Sequence, residues 1–254
     1  MVVGLLRSLR KLVGQCFLFL MLSLFLLLNY ISDRRLKSKA KTNNRNAKLV
    51  TPSTDQNERN GIVSIVIAAK NESRTIGATL RNLESTTIDK ARCEIILVDA
   101  GCSDNTIAVA KGSSCCIPLR CVKQKSAGDG RGVALDEGFN ECKGDIVLFL
   151  RSDCLVPPGF DETLRREMIN GTTLLASFRF GVDRRELVCG SEPLGLWLLE
   201  EQMNIRSMLF SLPVGSQGLA LRSDVYKENR FHQGEFLEDI DLVSRIRLVL
   251  VFSV

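Results

Sequence analysis

Three apolar runs in this chain each end in polar residues that could do chemistry. I-V-S-I-V-I-A-A (62–69) runs into Lys70-Asn71-Glu72, C-E-I-I-L-V-D-A (93–100) carries Asp99, and D-I-V-L-F-L-R (145–151) runs into Arg151-Ser152-Asp153. An acid at the end of one strand is often only a helix cap. Acids at three strand ends in order, on runs otherwise this apolar, call for another account. A carboxylate at the carboxyl edge of a sheet can accept hydrogen bonds from a base or a ribose. It can also hold Mg2+ or Mn2+ against a diphosphate.

The elements that must position these groups are legible in outline. The three runs are continuous, rich in β-branched residues and free of alternation, as expected for strands buried on both faces. Between them lie helical patterns: 72–86, with Ile76, Leu80 and Leu83 on one face; a helix to about 111 capped by Ser103 or Asp104; 130–142, opened by glycines; and one from Pro157-Pro158 to about 169. A weaker strand is expected near 117–123. Four alternations of strand and helix predict a parallel, doubly wound α/β sheet, with ligands at the carboxyl ends of the strands. The chemistry should therefore gather just after residues 69, 99 and 151.

Composition narrows the classes. The 254 residues are 45% apolar and 25% charged, which excludes wholesale disorder and fibrous repeats. A single His excludes a poly-His metal site. Nine Cys without a C-x-x-C pair exclude a zinc ribbon or a thioredoxin-type motif, and free thiols are expected. The net charge of +5 is an effect of the N-terminus. Ten of the 34 basic residues but only Asp33 of the 29 acidic ones lie in 1–48, leaving 24 basic against 28 acidic from residue 49 onward. That mildly acidic remainder gives no nucleic-acid footprint.

Residues 1–11 form a short tail. Leu12–Ser32 is uncharged and apolar on every face, and its 21 residues make about 31 Å of helix, enough to cross a bilayer core. We read it as an uncleaved transmembrane anchor. The Asn29–Arg35 segment is a poor signal-peptidase site, although a cleaved signal peptide and a buried core helix are the alternatives. Residues 33–60 are polar and aperiodic, a flexible basic stalk, and 61–254 form the main domain. Six basic residues follow the anchor and three precede it, so the charge count places the main domain on the cytosolic face. A lumenal placement is the alternative, in the ER or Golgi of a eukaryote. The sequon at Asn170-Gly171-Thr172 would report it by carrying a glycan.

Five segments carry a resemblance. S-I-V-I-A-A-K-N-E, I-I-L-V-D-A-G-C-S-D-N-T, G-R-G-V-A-L-D-E-G-F, V-L-F-L-R-S-D and F-L-E-D-I-D-L-V-S-R-I resemble, in order, the successive motifs of the family 2 glycosyltransferases. V-L-F-L-R-S-D-C-L-V-P-P-G-F, G-S-Q-G-L-A-L-R and L-E-D-I-D-L are most similar to the radical-SAM/selenodomain-associated transferase 2 subgroup. The resemblance covers about 62–248. It implies the GT-A fold, a Rossmann-like, mostly parallel sheet with helices on both faces, here preceded by one transmembrane helix.

The resemblance also implies roles. Glu72 and Asp99 would contact the base and ribose of a nucleotide-diphosphate sugar donor. Gly130, Arg131 and Gly132 would lie along that donor, with Arg131 near phosphate. Asp153, matching the last acid of D-x-D, would bind a divalent metal, Mn2+ or Mg2+. Asp239 of the Glu238-Asp239 pair would be the catalytic base of an inverting transfer to an unknown acceptor. The residues themselves also allow plainer readings, Arg131 as a surface helix residue and Asp239 as an acid suited to the first turn of a helix.

Arg151 stands where the family has the first acid of D-x-D, and Ala69 stands where many members have Pro. Members usually continue some tens of residues beyond the Glu-Asp helix, which leads to the expectation of a shortened acceptor half. Gly215-Ser216-Gln217-Gly218 is expected at the acceptor site. His232 reads as a loop residue, Trp197 as core or an interface anchor, and Asp241 with Arg245 as a helix-surface ion pair. Two other functions compete. A nucleotidyltransferase would want a Gly-rich phosphate loop after the first strand, and Ala68-Ala69-Lys70-Asn71 is none. A membrane-tethered binding module without catalysis is the other.

Overall fold

The computed structural model describes residues 61–113, 116–125, 130–184, 194–210, 212–213, 215–231, 238–246 and 249–252. The expected tail, anchor (12–32) and stalk, and His232, lie outside the described residues. No helix among those described is long and apolar enough to cross a membrane.

The chain forms β1 (Val63–Ala69), α1 (Ile76–Thr86), β2 (Cys93–Asp99), α2 (Thr106–Gly112), β3 (Leu119–Lys123), α3 (Arg131–Asn140) and β4 (Ile146–Arg151). It continues with α4 (Phe160–Met168), β5 (Leu175–Phe178), α5 (Leu194–Phe210), β6 (Leu219–Arg222), α6 (Ser223–Glu228), α7 (Glu238–Arg245) and β7 (Val249–Phe252). One seven-stranded sheet has the order β3-β2-β1-β4-β6-β5-β7. β1 to β4 run parallel, and β6 runs antiparallel to both β4 and β5. The sheet is therefore mixed but mostly parallel.

Burial on both faces is what makes the first strands continuous apolar runs. On one side Val63, Ile65 and Ile67 pack with Ile76, Leu80 and Leu83 of α1 and Phe160, Leu164 and Met168 of α4. On the other, Val66, Ile96 and Val98 pack with Ala134, Leu135 and Phe139 of α3, Tyr226 of α6, and Leu242 and Val243 of α7. Gly138 lets α3 approach: a Cβ there would stand 2.5 Å from Val66 Cγ1 and 2.7 Å from Val98 Cγ2.

Several helix starts differ from expectation. α1 begins at Ile76 because residues 72–75 form a turn in which the Thr75 and Ile76 N–H groups donate to the Glu72 carbonyl. Asn105 stands at the N-cap of α2, while the Asp104 carboxylate accepts the Thr106 N–H at 3.0 Å. Pro157-Pro158 precedes α4 without starting it; Gly159, at φ +73°, makes the turn. Asp241 and Arg245 do pair, at 3.0 Å. Trp197 is half exposed (51%), so it is not core. The six cysteines among the described residues are free thiols.

Candidate active site

The register brings the three strand ends together. Ala69 pairs with Asp99, Asp99 with Lys123, and Ala68 with Arg151. All the groups expected after residues 69, 99 and 151 therefore line one edge of the sheet.

At β1 and β2 the edge is built from turns. Asp99 Oδ1 accepts the N–H groups of Gly101 at 3.1 Å and Cys102 at 2.7 Å. Partial burial raises the Asp99 carboxyl pKa, but these donors outweigh it and the net shift is downward. Glu72 donates its N–H to Thr106 Oγ1 at 2.7 Å, and its carboxylate accepts the Thr75 hydroxyl at 2.9 Å. Asn71, at φ +59°, accepts the Ser103 N–H on its side chain, tying the two loops together. Asp104 also accepts the Ser73 N–H.

At β4, Arg151 and Asp153 form a two-point pair, Nε to Oδ1 and Nη2 to Oδ2, each 2.9 Å. The guanidinium holds the Asp153 carboxyl below the usual range, against a partial opposing effect of burial. Among the described residues there is no group of three or more His, Cys, Asp or Glu side chains suited to a metal. An ion held against a substrate diphosphate needs only one or two protein carboxylates. Asp153 supplies one, and a cation, the Arg151 guanidinium, already lies on its two oxygens. A divalent ion at that carboxylate would have to draw its remaining ligands from a diphosphate and displace the guanidinium.

The third part is made by two helix faces. In α3, Arg131 lies one turn before the buried Ala134 and Leu135. In α7, Asp239 lies one turn before the buried Leu242 and Val243. Packing those apolar faces on the sheet carries both charges inward. Arg131 Nη1 lies 3.1 Å from Asp239 Oδ2, with side-chain exposures of 24% and 14%. Asp239 Oδ2 also accepts the Gly215 N–H at 3.0 Å. Arg131 Nη2 and Asp239 Oδ1 are buried and have no hydrogen-bond partner among the described residues. Glu238 packs over Gly132, where a Cβ would stand 3.3 Å from Glu238 Cγ. Gly130 is the exposed N-cap of α3.

Gly215–Gln217, a turn of 3-10 helix, links the two charged pairs. Gly215 holds Asp239, and the Ser216 carbonyl accepts from Cys154 Sγ at 3.3 Å, next to Asp153. Cys154 is no candidate nucleophile, since burial pushes its thiol up to about 11. A cavity of about 590 Å3 opens beside this turn, lined by Arg151, Asp153, Leu155, Phe178, Phe180 and Gln217 among others. Another, of about 480 Å3, lies by Asp145 and Arg230 at the opposite end of β4, away from these groups. The sequence places Gly215 at the expected acceptor site, but its hold on Asp239, and what a side chain there would strike, show only in the folded chain.

Parts of this chain are similar to known proteins. Glucosyl-3-phosphoglycerate synthase of Mycolicibacterium paratuberculosis is 32% identical over 112 residues, 43% of this chain and 34% of that protein. The 4-deoxy-4-formamido-L-arabinose transferase of Serratia proteamaculans, which is named for undecaprenyl phosphate, is 37% identical over 108 residues, 38% of this chain and 30% of that protein. The matched stretches thus span about a third of these relatives' own length. The mannosyltransferase PcManGT of Pyrobaculum calidifontis, solved with GDP-Man and Mn2+, superposes with a TM-score of 0.60 over 89% of this chain and 62% of that one, at 16% identity, a likeness of fold. The sequence pattern described as glycosyl transferase family 2 matches residues 64–229, well over half of the chain and the stretch that holds Glu72, Asp99, Arg131, Asp153 and Gly215. With that match and the shared fold, this chain belongs to glycosyl transferase family 2.

Proposed function

We propose that the protein is a glycosyltransferase that moves a sugar from a nucleotide-diphosphate donor to an acceptor hydroxyl with inversion. The observation that carries this reading is the Arg131–Asp239 pair and its two buried atoms without a partner among the described residues. A buried polar atom without a partner needs an explanation, and a substrate supplies one. Asp239 Oδ1 is an acceptor that an incoming hydroxyl can meet. That hydroxyl has a pKa far above 7, so a carboxylate must take its proton as the bond forms. Arg131 Nη2 is a donor suited to the negative charge that gathers on the departing diphosphate.

In this reading Glu72 and Asp99 meet the base and ribose, Gly130 lies along the donor, and Glu238 supports Asp239 from the same turn. Asp153 holds a divalent ion, Mn2+ or Mg2+, which when bound would neutralise charge on the diphosphate. The glucosyl-3-phosphoglycerate synthase of Mycobacterium tuberculosis, whose complex holds Mn2+ and UDP, supports that role by analogy. The resemblance of its motifs to the radical-SAM/selenodomain-associated transferase 2 subgroup supports assignment to that subgroup. Leu12–Ser32 anchors it in a membrane, with the charge count favouring a cytosolic catalytic face.

A second reading, a tethered nucleotide-sugar-binding module without catalysis, is favoured by Arg151 lying on Asp153. The experiment is to incubate the full chain with UDP- and GDP-sugars plus Mn2+ and to measure free nucleoside diphosphate. Release that depends on Asp239 supports the transferase. Binding without release, with any acceptor preparation, supports the module.

A further inference from the structure

Arg151 closes β4 and stands in register beside Ala68 of β1. Its guanidinium and the Asp153 carboxylate meet at two points, both 2.9 Å. The side chains are 43% and 39% exposed and border the cavity of about 590 Å3. Glu72 adds to the negative field at Arg151.

A divalent ion and a guanidinium seek the same two oxygens, and each repels the other. Opening an exposed pair is cheap in itself. Its consequence is not: an ion arriving alone leaves the Arg151 charge beside a dication, with Asp153 no longer neutralising it. An anion that takes the guanidinium removes this conflict. A diphosphate is such an anion, since its oxygens accept a two-point contact from Arg and can also ligate the ion.

We propose that Arg151 makes divalent-ion binding at Asp153 conditional on a nucleoside diphosphate, by holding Asp153 until the diphosphate draws its guanidinium away. The inference rests on the reading of Asp153 as the ion's protein ligand. It makes Arg151 a determinant of metal affinity in a position where the family has an acid. Because coupling between two ligands is reciprocal, Mn2+ should tighten the nucleotide by the same factor as the nucleotide tightens Mn2+.

The test is Mn2+ titration of the full chain, read by electron paramagnetic resonance of free Mn2+, alone and with saturating UDP or GDP. The wild type should bind Mn2+ weakly alone and at least about tenfold tighter with the nucleotide that binds. Arg151→Gln should bind Mn2+ alone about tenfold tighter than the wild type, with the coupling reduced to a few-fold. Arg151→Lys, which keeps a charge but cannot fork, should fall between them. Circular dichroism melts identify any variant that has failed to fold, and the Lys variant then carries the comparison. Equal Mn2+ affinity and equal coupling in the wild type and both variants would overturn the proposal while leaving Asp153 as the ligand. Asp153→Asn distinguishes the underlying reading: if it binds Mn2+ with nucleotide as the wild type does, Asp153 is not the ligand and both readings fail.

Discussion

Arg131 and Asp239 are 108 positions apart in sequence, yet Arg131 Nη1 lies 3.1 Å from Asp239 Oδ2. The pair joins the first turn of α3 to the first turn of α7. Each residue stands one turn above apolar residues that bury the same helix face. The positions of both charges are thus set by packing, and the pair leaves one donor and one acceptor atom turned to no partner among the described residues.

That arrangement assigns the two residues different effects. Arg131→Gln removes the donor suited to phosphate and the counter-ion of Asp239 together. Donor affinity and turnover should both fall, with a higher Kd for the nucleoside diphosphate by titration calorimetry. An unchanged Kd would remove Arg131 from the phosphate site.

Gly215 tests the geometry without touching a charge. A Cβ there would stand 2.3 Å from Asp239 Oδ2 and 2.4 Å from Arg131 Nη1. Gly215→Ala must push the pair apart. We expect turnover to fall about 100-fold, the scale of a 1 Å misplacement, with the melting temperature little changed. A variant as active as the wild type would show that the pair need not be held as seen.

Gly138 separates stability from the site. It lies on the same helix as Arg131 but faces the sheet, with Val66 and Val98 within 3 Å of where a Cβ would be. Gly138→Ala should destabilise by about 1–3 kcal/mol through overpacking. The measurement is the urea midpoint, which should drop without a change in the slope.

The loop that follows β2 makes a pH prediction. The Asp104 carboxyl is lowered to about 2, first by the Thr106 hydroxyl, with further donors that include Ser73, against an opposing effect of desolvation. A lowered pKa in the folded state adds stability above the unfolded value near 4, which is lost as pH falls toward 2. Asp104→Asn keeps an acceptor oxygen but cannot titrate. The difference in urea midpoint between wild type and variant should be full above about pH 5 and fall away as pH drops through about 2. A difference constant with pH would show that the carboxylate charge plays no part.

Much of the parallel half was legible because its strands are buried on both faces. β1, β2 and β4 read as unbroken apolar runs, and their ends gave the site edge. β5 and β6, at Leu175–Phe178 and Leu219–Arg222, were not legible as strands. Four residues are too few for a periodicity. L-A-S-F and L-A-L-R become strands by pairing with each other, L-A-L-R also with β4 and L-A-S-F also with β7. The site divides in the same way. Asp99 and Asp153 follow from strand ends, and Arg131 and Asp239 from motif resemblance. Their pairing could not be foreseen, because it depends on the angle at which α3 and α7 cross the sheet. The Arg151–Asp153 pair was visible only as a departure from an acidic motif, and its two-point geometry needed the turn after β4.

The most direct test of the account compares the wild type with Asp239→Asn in two measurements on the full chain. One is nucleoside diphosphate binding, and the other is release of nucleoside diphosphate from the sugar donor that binds. Asn keeps the shape and the contact with the Gly215 N–H but cannot take a proton. The account predicts a Kd within a few-fold of the wild type and a turnover lower by about two to four decades. Turnover equal to the wild type, or loss of binding together with turnover, would contradict Asp239 as the base.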